Sequence, residues 1–294
     1  MDLFQPYISK KAISNVVGAL ESGRISEGRL VKEFEEGLTR TIGIINPVTV
    51  NNGTAALHLA LVVANIKAGD EVILPAQTFV ATGVVILMQG AKPVFTDIQD
   101  TTGNISPESI KKKITKKTKA IIPVHWGGYP CDMDEINAIA KEYSLTVIED
   151  AAHALGAVYK NKAIGSISPF TIFSFQAVKH LTTGDGGALC CLRDKDYKRA
   201  RILRWFGIDR ANSKESLLGE REYNITEFGY KYHLNDLAAA IGLGNLENFH
   251  KNLQRRRNIA RRYRKELADI AGLKFLDYKD DRESSYWCFT ILVE

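Results

Sequence analysis

From Val48 to Asp150 the chain alternates short apolar runs with helical patterns, and few folds accept such a sequence. The run "VTV" precedes "GTAALHLALVVANI", "EVILP" precedes "TFVATGVVILMQ", and "KPVFTDI" precedes "SPESIKKKI". "AIIPV" then precedes "DMDEINAIAKEY", and "TVIED" closes the series. Each unit takes about 20 to 30 residues, enough for a strand and a crossover helix, so successive strands run parallel and are buried on both faces. The expected fold class is α/β: a mainly parallel sheet covered by helices on both faces. Two further helices, Ser9 to Glu21 and Leu30 to Thr41, are expected ahead of it. In such sheets a ligand sits at the carboxyl ends of the strands, so the residues there are the first candidates for a site.

Composition narrows the field. The 294 residues, 45% hydrophobic and 25% charged, suffice for one large globular domain and part of another. The N-terminal "MDLFQPYISKK" has no apolar leader, and no run approaches the ~18 apolar residues of a membrane span, so a cytoplasmic protein without membrane association is expected. Cys131, Cys190, Cys191 and Cys288 show no paired spacing; the adjacent pair points to opposite faces of a strand, and all four are read as packing residues. The net charge of +5 gathers in "KKKITKKTK" and "RRRNIARRYRK". Only Tyr263 interleaves the second run, unlike a base-stacking surface, while Ile259, Ala260, Leu267 and Ile270 recur at helical spacing. A solvated helix face is expected there rather than a nucleic-acid contact. A basic surface would also draw in an anionic, phosphorylated substrate.

The strand ends carry chemistry. After the first strand comes "NNGTAALHLAL", where Gly53 permits close backbone approach, Thr54 offers a hydroxyl and an amide, and a helix begins whose free N–H groups suit an anion. Asn52 and Thr54 could equally serve as helix caps. No Walker or dinucleotide glycine pattern follows a strand, which disfavours ATP and NAD. The second strand ends in "PAQTFVAT", placing Thr78 and Phe79 at the same edge, where the aromatic either fills the core or stacks on a planar ring. The fifth ends in Glu149 and Asp150, and a carboxylate buried at a strand end needs a partner. Lys179, in "FSFQAVKHLTTGDGGAL", lies between an apolar strand and a glycine-rich turn. Partly buried, its amine loses proton affinity and becomes a nucleophile or proton shuttle; otherwise it snorkels to water. Phosphate cradle, stacking aromatic, buried carboxylate and lysine together point to pyridoxal 5'-phosphate held as a Schiff base on Lys179.

From about Ile25 to Glu294 the chain resembles the DegT-type nucleotide-sugar aminotransferases, pyridoxal-phosphate enzymes of the aspartate-aminotransferase fold. The resemblance rests on "ISEGRLVKEFEE", "NGTAALHLAL", "PAQTFVAT", "PVHWGGYPCDMDEI", "IEDAAHALGA", "FSFQAVKHLTTGDGGAL", "RWFGIDR" and "FGYKYHLNDLAAAIGLGNL". It implies that Lys179 carries the cofactor, that Asp150 pairs with the pyridine nitrogen, and that Gly53, Thr54 and Ser174 hold the phosphate while Phe79 stacks on the ring. It implies also that Asn235 reaches the phosphate of a neighbouring subunit, making a homodimer with shared sites. His153 stands where the family usually has a glutamine that meets the cofactor's phenolic oxygen.

The implied reaction moves an amino group from L-glutamate to a keto group of a nucleotide-linked sugar. Dehydratases of the family carry histidine at the lysine position, and Lys179 there favours amino transfer over dehydration. A non-catalytic regulator or degenerate fragment that binds the cofactor is the other alternative. Residues 1–243 are expected to form the large cofactor-binding domain. Residues 244–294 are expected to form a linking helix and the start of a small domain, with "SSYWCFTILVE" as a strand; family members continue beyond it, so this small domain is expected to be incomplete.

Overall fold

A computed structural model describes residues 5–210, 212, 214–215, 217–218, 221–223 and 225–294. The first four residues of the expected leader-free N-terminus lie outside it. Seven strands, numbered along the chain, form the main sheet: β1 Pro47–Val50, β2 Glu71–Pro75, β3 Lys92–Thr96, β4 Thr118–Ile121, β5 Thr146–Asp150, β6 Phe170–Ser174 and β7 Gly187–Cys191. Their spatial order is β1-β7-β6-β5-β4-β2-β3. All neighbours from β6 to β3 are parallel, and β7 alone runs against the strands on either side of it. The mainly parallel sheet expected from the alternating pattern is thus found.

Nine helices are described: α1 Lys10–Glu21, α2 Arg29–Ile42, α3 Gly53–Val63, α4 Val80–Met88, α5 Pro107–Lys113, α6 Met133–Glu142, α7 Asp194–Leu203, α8 Asp236–Leu246 and α9 Phe249–Glu266. Side-chain oxygens start several of them by accepting otherwise orphaned N–H groups: Ser9 from Ala12 at α1, Asn52 from Ala55 at α3, and Ser106, followed by Pro107, at α5. The start of α2 is capped from a distance, because the buried Asp236 carboxylate accepts from Gly28 at 2.9 Å and Val31 at 3.0 Å.

Strand alternation splits the core in two. Ile73, Ile121, Val147, Phe173 and Cys190 join the cluster under α2, α6, α8 and α9. Val72, Leu74, Ala120, Ile148, Ile172 and Cys191 join the one under α3, α4 and α7. Cys190 and Cys191 therefore do face opposite cores, and all four cysteines are free thiols. Glu149 falls on the first face and Asp150 on the second, by the same period of two.

The second basic run forms the charged face of α9, but part of it turns inward. Arg257 donates to the Gly156 and Ser284 carbonyls and Arg264 to that of Leu276, tying the C-terminal segment down. The strand expected over "SSYWCFTILVE" forms only at Ile291–Val293, antiparallel to Leu273–Phe275. Upstream, Tyr286 takes a left-handed φ of 50°, and the N–H groups of Ser285 and Trp287 donate to Gly128 and Gly127 at 3.0 and 2.8 Å instead of to a ladder. The division expected between 243 and 244 falls inside α8, which runs on to Leu246 ahead of α9. No described helix is long and apolar enough to cross a membrane.

Candidate active site

At the carboxyl end of the sheet a cavity of about 600 Å³ gathers Gly53, Thr54, Phe79, Asp150, His153, Ser174 and Lys179. A larger hollow of about 1210 Å³ beside α1 and α2 contains none of these seven. Asn235 lies outside the cavity: it is exposed, and its side chain caps α8 by accepting from Ala238 at 2.8 Å.

One end of the cavity suits an anion. Asn52 occupies the N–H of Ala55 with its side chain and that of Ala56 with its carbonyl, leaving the Gly53 and Thr54 amides at the positive end of α3. Ser174, at the tip of β6, closes this end. A side chain at Gly53 would meet Ser174 Cβ at 3.0 Å, so glycine keeps the end open.

The opposite wall is built around Asp150, which is 5% exposed. Its carboxylate accepts from Thr82 Oγ1 at 2.8 Å and from the Ala152 N–H at 3.1 Å, and Thr82 is linked in turn to Thr78 Oγ1 at 2.8 Å. Burial pushes the Asp150 carboxyl above the usual range, opposed by these two hydrogen bonds and by the charge of Lys179. Burial likewise lowers the Lys179 amine, and Asp150 raises it. Each group therefore favours an oppositely charged neighbour. Lys179 is half-buried, with its Nζ 4.3 Å from the centroid of the Trp287 ring.

His153 is buried, with its ring stacked on Trp287 at 3.8 Å and 5° and edge-on to Trp126 at 6.0 Å. Burial, then the charges of Lys179 and His180, pull it down to about 3, so it is neutral at neutral pH. Its Nδ1 is buried without a hydrogen-bond partner. Phe79 precedes α4 at the cavity mouth and is 70% exposed, so it is available to a planar ring.

The sequence reading missed Thr82, Trp126 and Trp287. Thr82 lies on the first turn of α4, and its link to Thr78 Oγ1 at 2.8 Å crosses the helix start, where Thr78 precedes the Phe79 cap. Trp287 was not recoverable, because it reaches the cavity only through the left-handed Tyr286.

Pyridoxal phosphate fits what the cavity leaves unmet. Its phosphate matches the α3 end, its ring nitrogen can give the buried Asp150 a cationic N–H, and its phenolic oxygen can meet the orphaned His153 nitrogen. The family model for DegT/DnrJ/EryC1/StrS aminotransferases matches residues 6–294. The chain belongs to this family. The chain is 40% identical over 290 residues to the spore coat polysaccharide biosynthesis protein SpsC of Bacillus subtilis, a match covering 98% of this chain and 75% of SpsC. It superposes on the sugar aminotransferase CalS13 from Micromonospora echinospora with a TM-score of 0.93 at 36% identity, covering all of this chain and 80% of CalS13. It also superposes on the PLP-form of Spr1654 from Streptococcus pneumoniae with a TM-score of 0.90 at 35% identity, covering all of this chain and 78% of the other. These relatives support sugar aminotransferase chemistry with pyridoxal phosphate.

Proposed function

We propose that the protein transfers an amino group from L-glutamate to a keto group of a nucleotide-linked sugar, with Lys179 as the working amine. The observation that carries this reading is the meeting of Lys179, Asp150 and the α3 amides in one cavity. When bound, pyridoxal phosphate supplies a carbonyl that condenses with amines and a ring that withdraws electrons. Gly53, Thr54 and Ser174 would hold its phosphate, and Phe79 would cover its ring. The Asp150 carboxylate, aimed by Thr82 and the Ala152 amide, would keep a proton on the ring nitrogen. Lys179 Nζ, its proton affinity lowered by burial, moves the proton at the donor's α carbon. His153 Nδ1 would meet the phenolic oxygen in the neutral form.

Two outcomes test this. Borohydride reduction of the loaded protein followed by peptide mapping should place the pyridoxyl label on Lys179; a label on Lys162 instead would overturn the assignment. L-Glutamate should convert the cofactor's absorption to that of its amine form, whereas a dehydratase or a non-catalytic binder would leave it unchanged.

We propose further that Asn235, exposed at the start of α8, serves the phosphate of a partner subunit in a homodimer. Mixing inactive Lys179→Ala and Asn235→Asp proteins should then restore up to roughly a quarter of wild-type sites, because about half the dimers are mixed and each has one sound site of two. No recovery after verified subunit exchange would end the shared-site reading.

A further inference from the structure

The segment 284–288 closes over the cavity through an unusual set of contacts. Arg257 on α9 holds the Ser284 carbonyl, and the Ser285 hydroxyl donates to the His153 carbonyl at 2.9 Å. His180 Nε2 lies 3.0 Å from the Ser285 carbonyl. The segment lies directly on Gly128, whose φ is +96°; a Cβ there would meet Ser285 Oγ at 2.5 Å. Tyr286 accepts a left-handed backbone with a φ of 50°, uncommon for a bulky residue. That turn delivers Trp287 into the cavity wall. Its indole N–H donates to the Val178 carbonyl at 3.1 Å, one face lies flat on His153, and Lys179 Nζ stands 4.3 Å from the ring centroid.

We propose that Trp287 is a positioning residue that seats the free amine of Lys179, through a cation–π contact, whenever that amine is not covalently engaged. This rests on the reading of Lys179 as the working amine. During transfer the lysine must leave its covalent partner, take up a proton and return, and a flexible side chain in a cavity of this size could swing away. The indole face gives it a resting place beside the cavity, and the His153 stack and the Val178 bond fix that face. A ring opposes burial by favouring the ammonium, as Asp150 on β5 also does. Other titratable groups near the amine are His153 and His180, both held near 3 by burial and so neutral at neutral pH, the Cys288 thiol, which burial raises, and the exposed Asp185 on the cavity rim.

The sign of the effect separates this role from simple packing. Loss of the ring's attraction lowers the Lys179 midpoint, whereas loss of a wall, by admitting water, raises it. The measurement is the pH dependence of acetylation of Lys179 by acetic anhydride in the full chain without cofactor, followed by peptide mass mapping. Trp287→Leu should move the midpoint down by about 0.5 to 1.5 pH units, and Trp287→Phe by less. Tetrafluorotryptophan at position 287 keeps the shape, drains charge from the ring face and should move the midpoint in the same direction, which decides the matter even if the leucine variant does not fold. An unchanged or higher midpoint with the fluorinated ring overturns the proposal. Borohydride mapping of the wild-type protein tests the Lys179 reading separately, because a label elsewhere removes that reading while the titration still reports the contact.

Discussion

Glu149 and Asp150 are consecutive carboxylates at the end of one strand, and they live on opposite sides of the sheet in opposite circumstances. Glu149 is fully enclosed: His125 Nε2 lies 2.8 Å from one oxygen, and the other accepts from the Ser168 N–H and the Thr171 hydroxyl at 3.0 and 3.2 Å. The Cys131 N–H donates to His125 Nδ1, which fixes Nε2 as the protonated nitrogen facing Glu149. Every strong hydrogen-bonding group there has a partner. Asp150 has two neutral donors, a cavity in front and burial pressing its charge away. Satisfaction marks the carboxylate that holds the fold, and shortfall marks the one kept for a ligand.

The sharpest break of that contrast is at the amine facing Asp150. Lys179→Ala should lower amino transfer by about 10⁴-fold or more in initial-rate assays. Its melting temperature should stay level or rise, since a half-buried ammonium is removed. Next in size, Glu149→Ala strands three buried donors and should cost about 3 kcal/mol or more in urea unfolding. Asp150→Asn should show the converse: transfer down by about 100-fold or more with little loss of stability. Equal stability losses in the two variants would erase the distinction.

Smaller effects appear in pH profiles. Asp150 has a folded pKa above its unfolded value of 3.8, so its contribution is most favourable below that pH and is lost as pH rises above it. In protein without cofactor, Asp150→Asn should flatten this part of the stability curve. His153 is shifted from 6.5 to about 3, so its neutral form supports folding above 6.5 and that support fades as pH falls toward 3. The smallest expected effect follows: the absorption of the loaded protein should be alike in wild type and His153→Gln between about pH 5.5 and 8, where an ordinary histidine would titrate.

The alternating pattern made the sheet legible, because strands buried on both faces leave continuous apolar runs between amphipathic helices. Whereas Ser174 came only from the family resemblance, Gly53, Asp150 and Lys179 were legible for a related reason: the ends of parallel strands converge. Two things were not. Trp287 depends on a backbone conformation at Tyr286 that no local propensity favours, and the run "SSYWCFTILVE" reads as strand because its side chains suit one. Phe79 and Asn235 are both exposed, and the roles that the resemblance implies for them, on a cofactor ring and on a partner subunit's phosphate, involve groups outside this chain.

The one antiparallel strand, β7, has a bearing on the order in which the molecule assembles. β6 and β7 are joined by the segment carrying Lys179 and can pair as soon as both have been made. β1, which delivers the Gly53 end, must wait, since its register partner for Val50 is Gly187, far down the chain. Its docking closes the longest loop in the sheet, an entropic delay that local pairing does not face. During synthesis the amine and the anion cradle therefore meet only after β7 has emerged, so binding of cofactor at both ends reports a completed sheet and cannot template the early steps.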